Sequence, residues 1–342
     1  MGGCSTKAKI KDLTLELLQR CYQYCIYCSS NSSSSQDTFL AFNIVKKIID
    51  DFNELGGKVI ELSGGEPLIY DNLSETINYI NQYDIETHLF TCCYVPNKKI
   101  DYKIIENIDK IFVNLQAPNK QIHDYLTGIK GSFDSVIKFI KECKDRNKWV
   151  GTHIIPLKYN IDEIDEYIKL STYLKIDNVS LLRYVKQGRG VHHLPGLDQD
   201  EILQLHNIIY TYLNYQNPQF KIGCPLDFQF IYQRKEVAKP CVSGIERCVI
   251  RPNGNVIPCP AFKDSDQFVA GNVNTASFMD IWEKGKIFET LRNFDYKKLK
   301  GFCKNCSFID ICRGRCHAQR IIKFGDIYSS PDPFCPLYLN RV

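Results

Sequence analysis

The chain has 342 residues, 44% of them hydrophobic and 24% charged. That balance belongs to soluble globular chains of one large or two medium domains, and it excludes disorder and collagen-like repetition. Lys and Arg number 43 against 39 Asp and Glu, a net charge of +4, too small and too evenly spread to point to nucleic acid or an acidic membrane as a partner. No apolar run reaches the roughly 18 residues of a membrane span, and the start is polar, without the apolar stretch of an export signal. The chain is therefore read as cytoplasmic.

Taken in order, residues 11–18 alternate apolar and polar as a strand does, and a glycine-free loop carries Cys21, Cys25 and Cys28 in a C-x3-C-x2-C spacing. The Ser/Asn tract that follows predicts a mobile surface loop. Asp37 and Thr38 then predict the cap of a helix over 39–52. Strand patterns recur at 58–62, 86–91, 110–115, 150–155 and 179–182, with helical stretches at 73–81, 104–108, 133–146 and 164–173 between them. Such alternation predicts a parallel sheet with right-handed crossovers. Six strands of this kind fit an open, partial (β/α)6 barrel of α/β class, whose ligands sit at the C-terminal strand ends, where the cysteine loop also lies. After Gly188-Arg189-Gly190 the alternation stops, and a long helix over 198–214 leads into a region rich in Cys, Gly and Pro. The expected domains are 1–195 for the barrel, 196–238 for a linking helix and bridge, and 239–342 for a small Cys-rich unit in which metal supplies the missing core.

Sixteen cysteines in a chain without an export signal indicate metal or redox chemistry, because the cytosol keeps thiols reduced. Three thiolates in the first loop hold three irons of a [4Fe–4S] cube and leave the fourth open. With Tyr27 before Cys28, and Ser63-Gly64-Gly65-Glu66-Pro67 at the end of the second strand, this loop resembles the radical S-adenosylmethionine (SAM) family across the whole β/α region. The resemblance implies that the amine and carboxylate of SAM chelate the open iron, and that the two glycines let the backbone approach its methionine end. A tight turn beside a zinc-binding or scavenging thiol group is the alternative. At later strand ends, Thr91-Cys92-Cys93 stands where the family often has Thr-Asn-Gly, and Asn114-Leu115-Gln116 stands where relatives contact the ribose. Gln116-Ala117 departs from the Asp-Gly of many relatives. His153 and Arg183 point to the same rim, and Ser63, Gly64, Gly65, Glu66, Pro67, Thr91, Asn114, Gln116 and Arg183 form the expected SAM-contacting set. Cys92 and Cys93 either face the cavity or are small core residues, as free cysteine commonly is; Cys4, Cys143 and Cys224 have no grouping.

Farther on, Cys241-x12-Gly254-x4-Cys259, then Cys303-x2-Cys306-x5-Cys312-x3-Cys316, then Cys335, resembles the SPASM domain of many radical SAM enzymes. The resemblance implies two auxiliary [4Fe–4S] clusters, one on Cys241, Cys248, Cys259 and Cys316 and the other on Cys303, Cys306, Cys312 and Cys335. With Cys248 as fourth ligand, the first of these acts as an electron relay rather than a substrate anchor. Two structural zinc sites are the alternative, since C-x2-C is also zinc's spacing. The expected enzyme generates a 5′-deoxyadenosyl radical and oxidises, crosslinks or epimerises a peptide or protein side chain. Oxidation or rearrangement of a small molecule such as a sugar, aminocyclitol or cofactor precursor is the second reading, and a non-catalytic electron-transfer protein the remote third. About twenty residues precede Cys21, too few for the fused leader-binding domain of many peptide-modifying relatives. The remaining expected partner is an external one-electron reductant of flavodoxin or ferredoxin type, with no nucleic acid and no membrane.

Overall fold

The computed structural model describes residues 9–96, 100–223, 228 and 240–340. Cys4, Cys224 and the expected boundary between residues 238 and 239 lie outside the described residues. The polar/apolar alternation places β1 (Asp12–Leu18), β2 (Val59–Gly64), β3 (Glu86–Thr91), β4 (Lys110–Asn114), β5 (Val150–Ile154) and β6 (Asn178–Leu181) close to the expected ranges. All six are parallel neighbours in chain order. One face of each feeds the helix layer: Leu13, Leu15, Leu17, Ile60, Leu62, Leu89, Ile111 and Val113 are completely buried, and so are Val45, Ile49 and Phe52 of the helix Phe42–Glu54. Each such side chain contributes about 1.5–3 kcal/mol of burial. The opposite face carries Thr14, Glu16 and Glu61 on the first two strands, with Phe90, Phe112 and His153 on the next three. Phe112 stacks on Phe90 at 4.7 Å and on His153 at 4.9 Å.

The sheet is larger than expected. β7 (Gln219–Ile222) continues the parallel ladder beyond β6, after the helix Gln199–Tyr212 that Asp198 caps, so the alternation does not stop at residue 190. On the other side β8 (Arg247–Ile250) pairs in parallel with β1, and β9 (Asn255–Ile257) and β10 (Gly271–Asn272) follow antiparallel, giving one ten-stranded sheet. The Cys-rich region is thus built onto the barrel's own sheet. Arg247 ties the seam, reaching Asp12 at 3.1 Å and Glu61 at 3.2 Å.

Two local expectations are corrected. The first helix begins at Phe42 rather than residue 39, because Asp37 pairs with Arg20 and Phe39 bridges to Leu18, so residues 37–40 run beside the end of β1. The serine tract is not a free surface loop: Ser32 is 3% exposed, the Cys21 amide donates to the Ser33 carbonyl at 3.1 Å, and Arg189 donates to the Ser32 carbonyl at 2.8 Å. Among the described residues no helix is long and apolar enough to cross a membrane.

His123 is completely buried, and its Nδ1 accepts from the Gln116 amide at 3.1 Å. Burial holds it down to about 4, against about 6.5 in an unfolded chain. Between these values the unfolded chain takes up a proton that the native chain refuses, so stability falls as pH drops through that window. The melting temperature is expected to decline from pH 7 to pH 5, and His123→Asn, which keeps an acceptor without the titration, should lessen that decline in a circular-dichroism series; His153 and His317, also held down by burial, supply part of what is left.

Candidate active site

Past Leu18 the chain crosses over the end of β2. The Gly65 amide donates to the Leu18 carbonyl at 2.6 Å and the Glu66 amide to the Arg20 carbonyl at 2.9 Å. A Cβ on Gly65 would lie 2.0 Å from the Arg20 oxygen, and one on Gly64, at φ +134°, would lie 2.4 Å from the Leu18 oxygen. The room left by the two glycines is therefore taken by the backbone that leads into the cysteine loop.

Glu66 is also placed differently. It is completely buried, and its carboxylate accepts from Thr91 Oγ1 at 2.7 Å, the Cys92 amide at 2.8 Å and the Leu68 amide at 3.0 Å. Burial pushes its pKa up while these donors oppose the shift. Neither Glu66 nor Pro67, the first residue of the turn Pro67–Ile69, faces the cavity; they stand behind its wall and hold the end of β3 against β2.

In front of that wall lies a cavity of about 320 Å³ lined by Cys21, Cys25, Cys28, Ser63, Gly64, Gly65, Thr91, Asn114, Gln116 and Arg183. Burial, reinforced by the like charge of Cys21 and Cys28, pushes the Cys25 thiol well up. Three cysteines converging on one cavity are a donor set that fits an iron–sulfur cluster. Cys92 also lines the cavity, its Sγ 4.0 Å from that of Cys21, whereas Cys93 turns into the hydrophobic core. Asn114 donates to Tyr27 Oη at 2.8 Å and accepts from Gln116 Nε2 at 2.6 Å. Gln116 Oε1 accepts from the Ile155 amide at 3.1 Å, so its amide group braces β4 against the end of β5 rather than standing free for a ribose.

Several wall residues escape sequence reasoning. Lys263 forms a buried ion pair with Glu16 and donates to Ser30 Oγ at 2.6 Å. Arg189 donates to the Cys25 carbonyl at 2.9 Å and lies 3.6 Å from the ring centre of Tyr24. Arg183, expected at SAM, lines the cavity and is held in two ion contacts by Asp332, at 2.8 and 3.0 Å, with both side chains 2% exposed, and it packs on Phe334 at 3.9 Å. The carboxylate of Glu16 within the Leu-rich run of β1 and the Gly-Arg-Gly punctuation are the available signals; Lys263 and Asp332 have none.

The C-terminal thiols fall into groups, and every described cysteine is free of disulfides. Cys303, Cys306, Cys312 and Cys335 act electrostatically on one another; burial pushes Cys312 up to about 12 and Cys335 to about 11. Cys259 and Cys316 share a small apolar cluster with Val249 and Ile257, and burial, with Asp332 and Cys259 adding, pushes Cys316 up to about 12. Cys241 lines a second cavity, of about 290 Å³, with Cys312 and His317. Cys248 is the exception. It pairs in register with Leu13 on the helix-covered face of β8, completely buried in the core that includes Trp282 and Phe288, whereas Val249 next to it faces Cys259 and Cys316. Side chains of adjacent strand residues point to opposite faces, so the expected fourth ligand is turned away from its set.

Residues 15–171 match the family model described as the radical SAM superfamily, and residues 241–307 match the SPASM model, an iron–sulfur cluster-binding domain. Cys312, Cys316 and Cys335 lie beyond the second match. The AdoMet-dependent heme synthase of Methanosarcina barkeri is 26% identical over 340 residues, 94% of each chain. The mycofactocin maturase MftC of Mycolicibacterium smegmatis is 24% identical over 335 residues, covering 94% of this chain and 82% of the relative. The fold is shared with Streptococcus suis SuiB bound to S-adenosylmethionine, at a TM-score of 0.77 and 20% identity over 96% of this chain and 77% of that one. It is shared also with anSMEcpe bound to AdoMet and the Cp18Cys peptide, at 0.71 and 17% over 96% and 95%.

Two variants test these placements. Gly65→Val should displace the Arg20 carbonyl and cost the first cysteine loop its metal, a loss of about four irons per chain after anaerobic reconstitution. Cys248→Val, which fills the same core space, should keep the full iron content, whereas a true ligand would not survive that change.

Proposed function

The chain belongs to the radical SAM superfamily and carries a C-terminal SPASM domain, and from that premise we propose that this enzyme modifies a peptide or protein side chain by hydrogen abstraction. The observation that carries the reading is one cavity that joins Cys21, Cys25 and Cys28, the Gly64-Gly65 turn, and Pro260 and Lys263 from the segment just after Cys259. Cys21, Cys25 and Cys28 would hold a [4Fe–4S] cluster, which with SAM beside it and an electron from the donor protein would supply a 5′-deoxyadenosyl radical. The chain's own part is to hold and to exclude water. The Gly64-Gly65 turn fixes the cysteine loop, and its neighbouring carbonyls are acceptors for the amine of SAM. Asn114 and Thr91 offer the polar wall on the next strands, while Phe90, Phe112 and His153 close the floor against water.

Two auxiliary clusters complete the proposal, in a unit taken to begin at residue 239. One is held by Cys303, Cys306, Cys312 and Cys335. The other is held by Cys241, Cys259 and Cys316, which leaves one iron without a cysteine, since Cys248 is on the other face. A flavodoxin- or ferredoxin-type protein is the proposed electron donor. The likeness to a mycofactocin maturase, and to SuiB captured with its precursor peptide SuiA at a TM-score of 0.79, supports a peptide substrate. The likeness to a heme synthase favours the second reading, oxidation of a small cofactor precursor.

Anaerobically reconstituted protein is expected to hold about twelve irons and twelve sulfides, and a Cys21, Cys25, Cys28 triple alanine variant about eight, with loss of 5′-deoxyadenosine formation from SAM. Zinc in place of iron, or unchanged iron in the triple variant, would overturn the assignment. Mass spectrometry after incubation with candidate peptides and with cofactor precursors then separates the two readings by which one changes mass.

A further inference from the structure

Among the buried cations of the C-terminal region, Arg320 stands out. It lies on the helix His317–Phe324, one turn after Cys316, and is completely buried. Its Nε reaches only the Cys316 carbonyl, at 3.5 Å, and among the described residues neither Nη1 nor Nη2 has a hydrogen-bond partner. The head is seated by design of the backbone: Gly314, at φ +75°, leaves space where a Cβ would lie 2.9 Å from Nη1, and the ring of Phe294 covers the guanidinium at 5.0 Å. The groups that act on it electrostatically are the Asp332 carboxylate and the thiols of Cys303, Cys316 and Cys312. Those thiols belong to both proposed auxiliary sets.

A guanidinium buried with two unpaired nitrogens is strongly disfavoured unless something anionic completes it. Asp332 does not suffice, because its oxygens already serve Arg183 and the Cys316 and Phe334 amides. Sulfur-rich anionic clusters on either side would supply both the charge and the acceptors. We propose that Arg320 is the shared counter-cation of the two auxiliary clusters, with its Nη groups as donors to their sulfur atoms, raising the reduction potential of both. The role follows from electrostatics: a fixed positive charge and N–H donors near a cluster favour the reduced, more negative state. In this role Arg320 touches the clusters and no substrate.

The inference rests on the reading that two auxiliary clusters are present, and the test separates the two. Iron in the reconstituted wild-type enzyme is counted first; without about eight irons beyond the first cluster, the underlying reading fails. Redox titration followed by electron paramagnetic resonance, with SAM added to mark the first cluster, is then run on wild type, Arg320→Lys and Arg320→Met. In Arg320→Met both auxiliary midpoints should fall by at least a tenfold change in the reduction equilibrium, about 59 mV for one electron, and Arg320→Lys should recover most of that. Unchanged midpoints in an iron-replete Arg320→Met enzyme, or a shift confined to one cluster, would overturn the proposal. Should the methionine variant not retain its iron, wild-type enzyme labelled with 15N-arginine decides: pulsed resonance should detect a nitrogen coupling on both reduced auxiliary signals, and its absence from either refutes the shared role.

Discussion

Everything at the site hangs from the crossing of residues 18–20 over Gly64 and Gly65. The two hydrogen bonds that the Gly65 and Glu66 amides donate there, at 2.6 and 2.9 Å, fix where Cys21 leaves the sheet, and the same contact excludes any side chain at either glycine. Buried Glu66 extends the constraint to the third strand by collecting donors from Thr91 and Cys92. A single turn thus sets the relative positions of three strand ends, which form one side of the cavity.

The second constraint is charge. The cavity wall carries Glu16 with Lys263 and Arg183 with Asp332, each pair buried, and each joins the barrel to the C-terminal segment. Ion pairs out of water contribute little net stability, yet removing one partner is costly, because the other is left uncompensated. They therefore act as specific fasteners. The Asp332 pair is also the link between chamber and thiol groups, since one of its oxygens accepts from the Cys316 amide at 3.1 Å.

Much of this was legible in the sequence because it is written in periodicity and spacing. The six barrel strands alternate clearly, and the cysteine groups announce themselves. What stayed hidden has physical reasons. β7 is four residues with one well-buried side chain, Phe220, too short to show a period. The helix Lys120–Thr127 buries His123 and Thr127 beside Leu126, so its inner face does not read as apolar. Spacing counts residues but not faces: Cys248 sits at a plausible interval and on the wrong side of its strand. The Gly-Gly-Glu-Pro turn marks the place correctly, but the direction of Glu66 depends on where the third strand arrives, which no local pattern encodes.

The Glu16–Lys263 pair has a consequence for how the molecule is made. Lys263 follows Glu16 by 247 residues, so β1 and the first cysteine loop wait for this part of their wall until the whole barrel has been made. Arrival of residues 260–263 completes the cavity wall. The first site is thus assembled from distant parts of the chain, and a fragment that stops short of residue 260 lacks both the cation for Glu16 and that part of the wall.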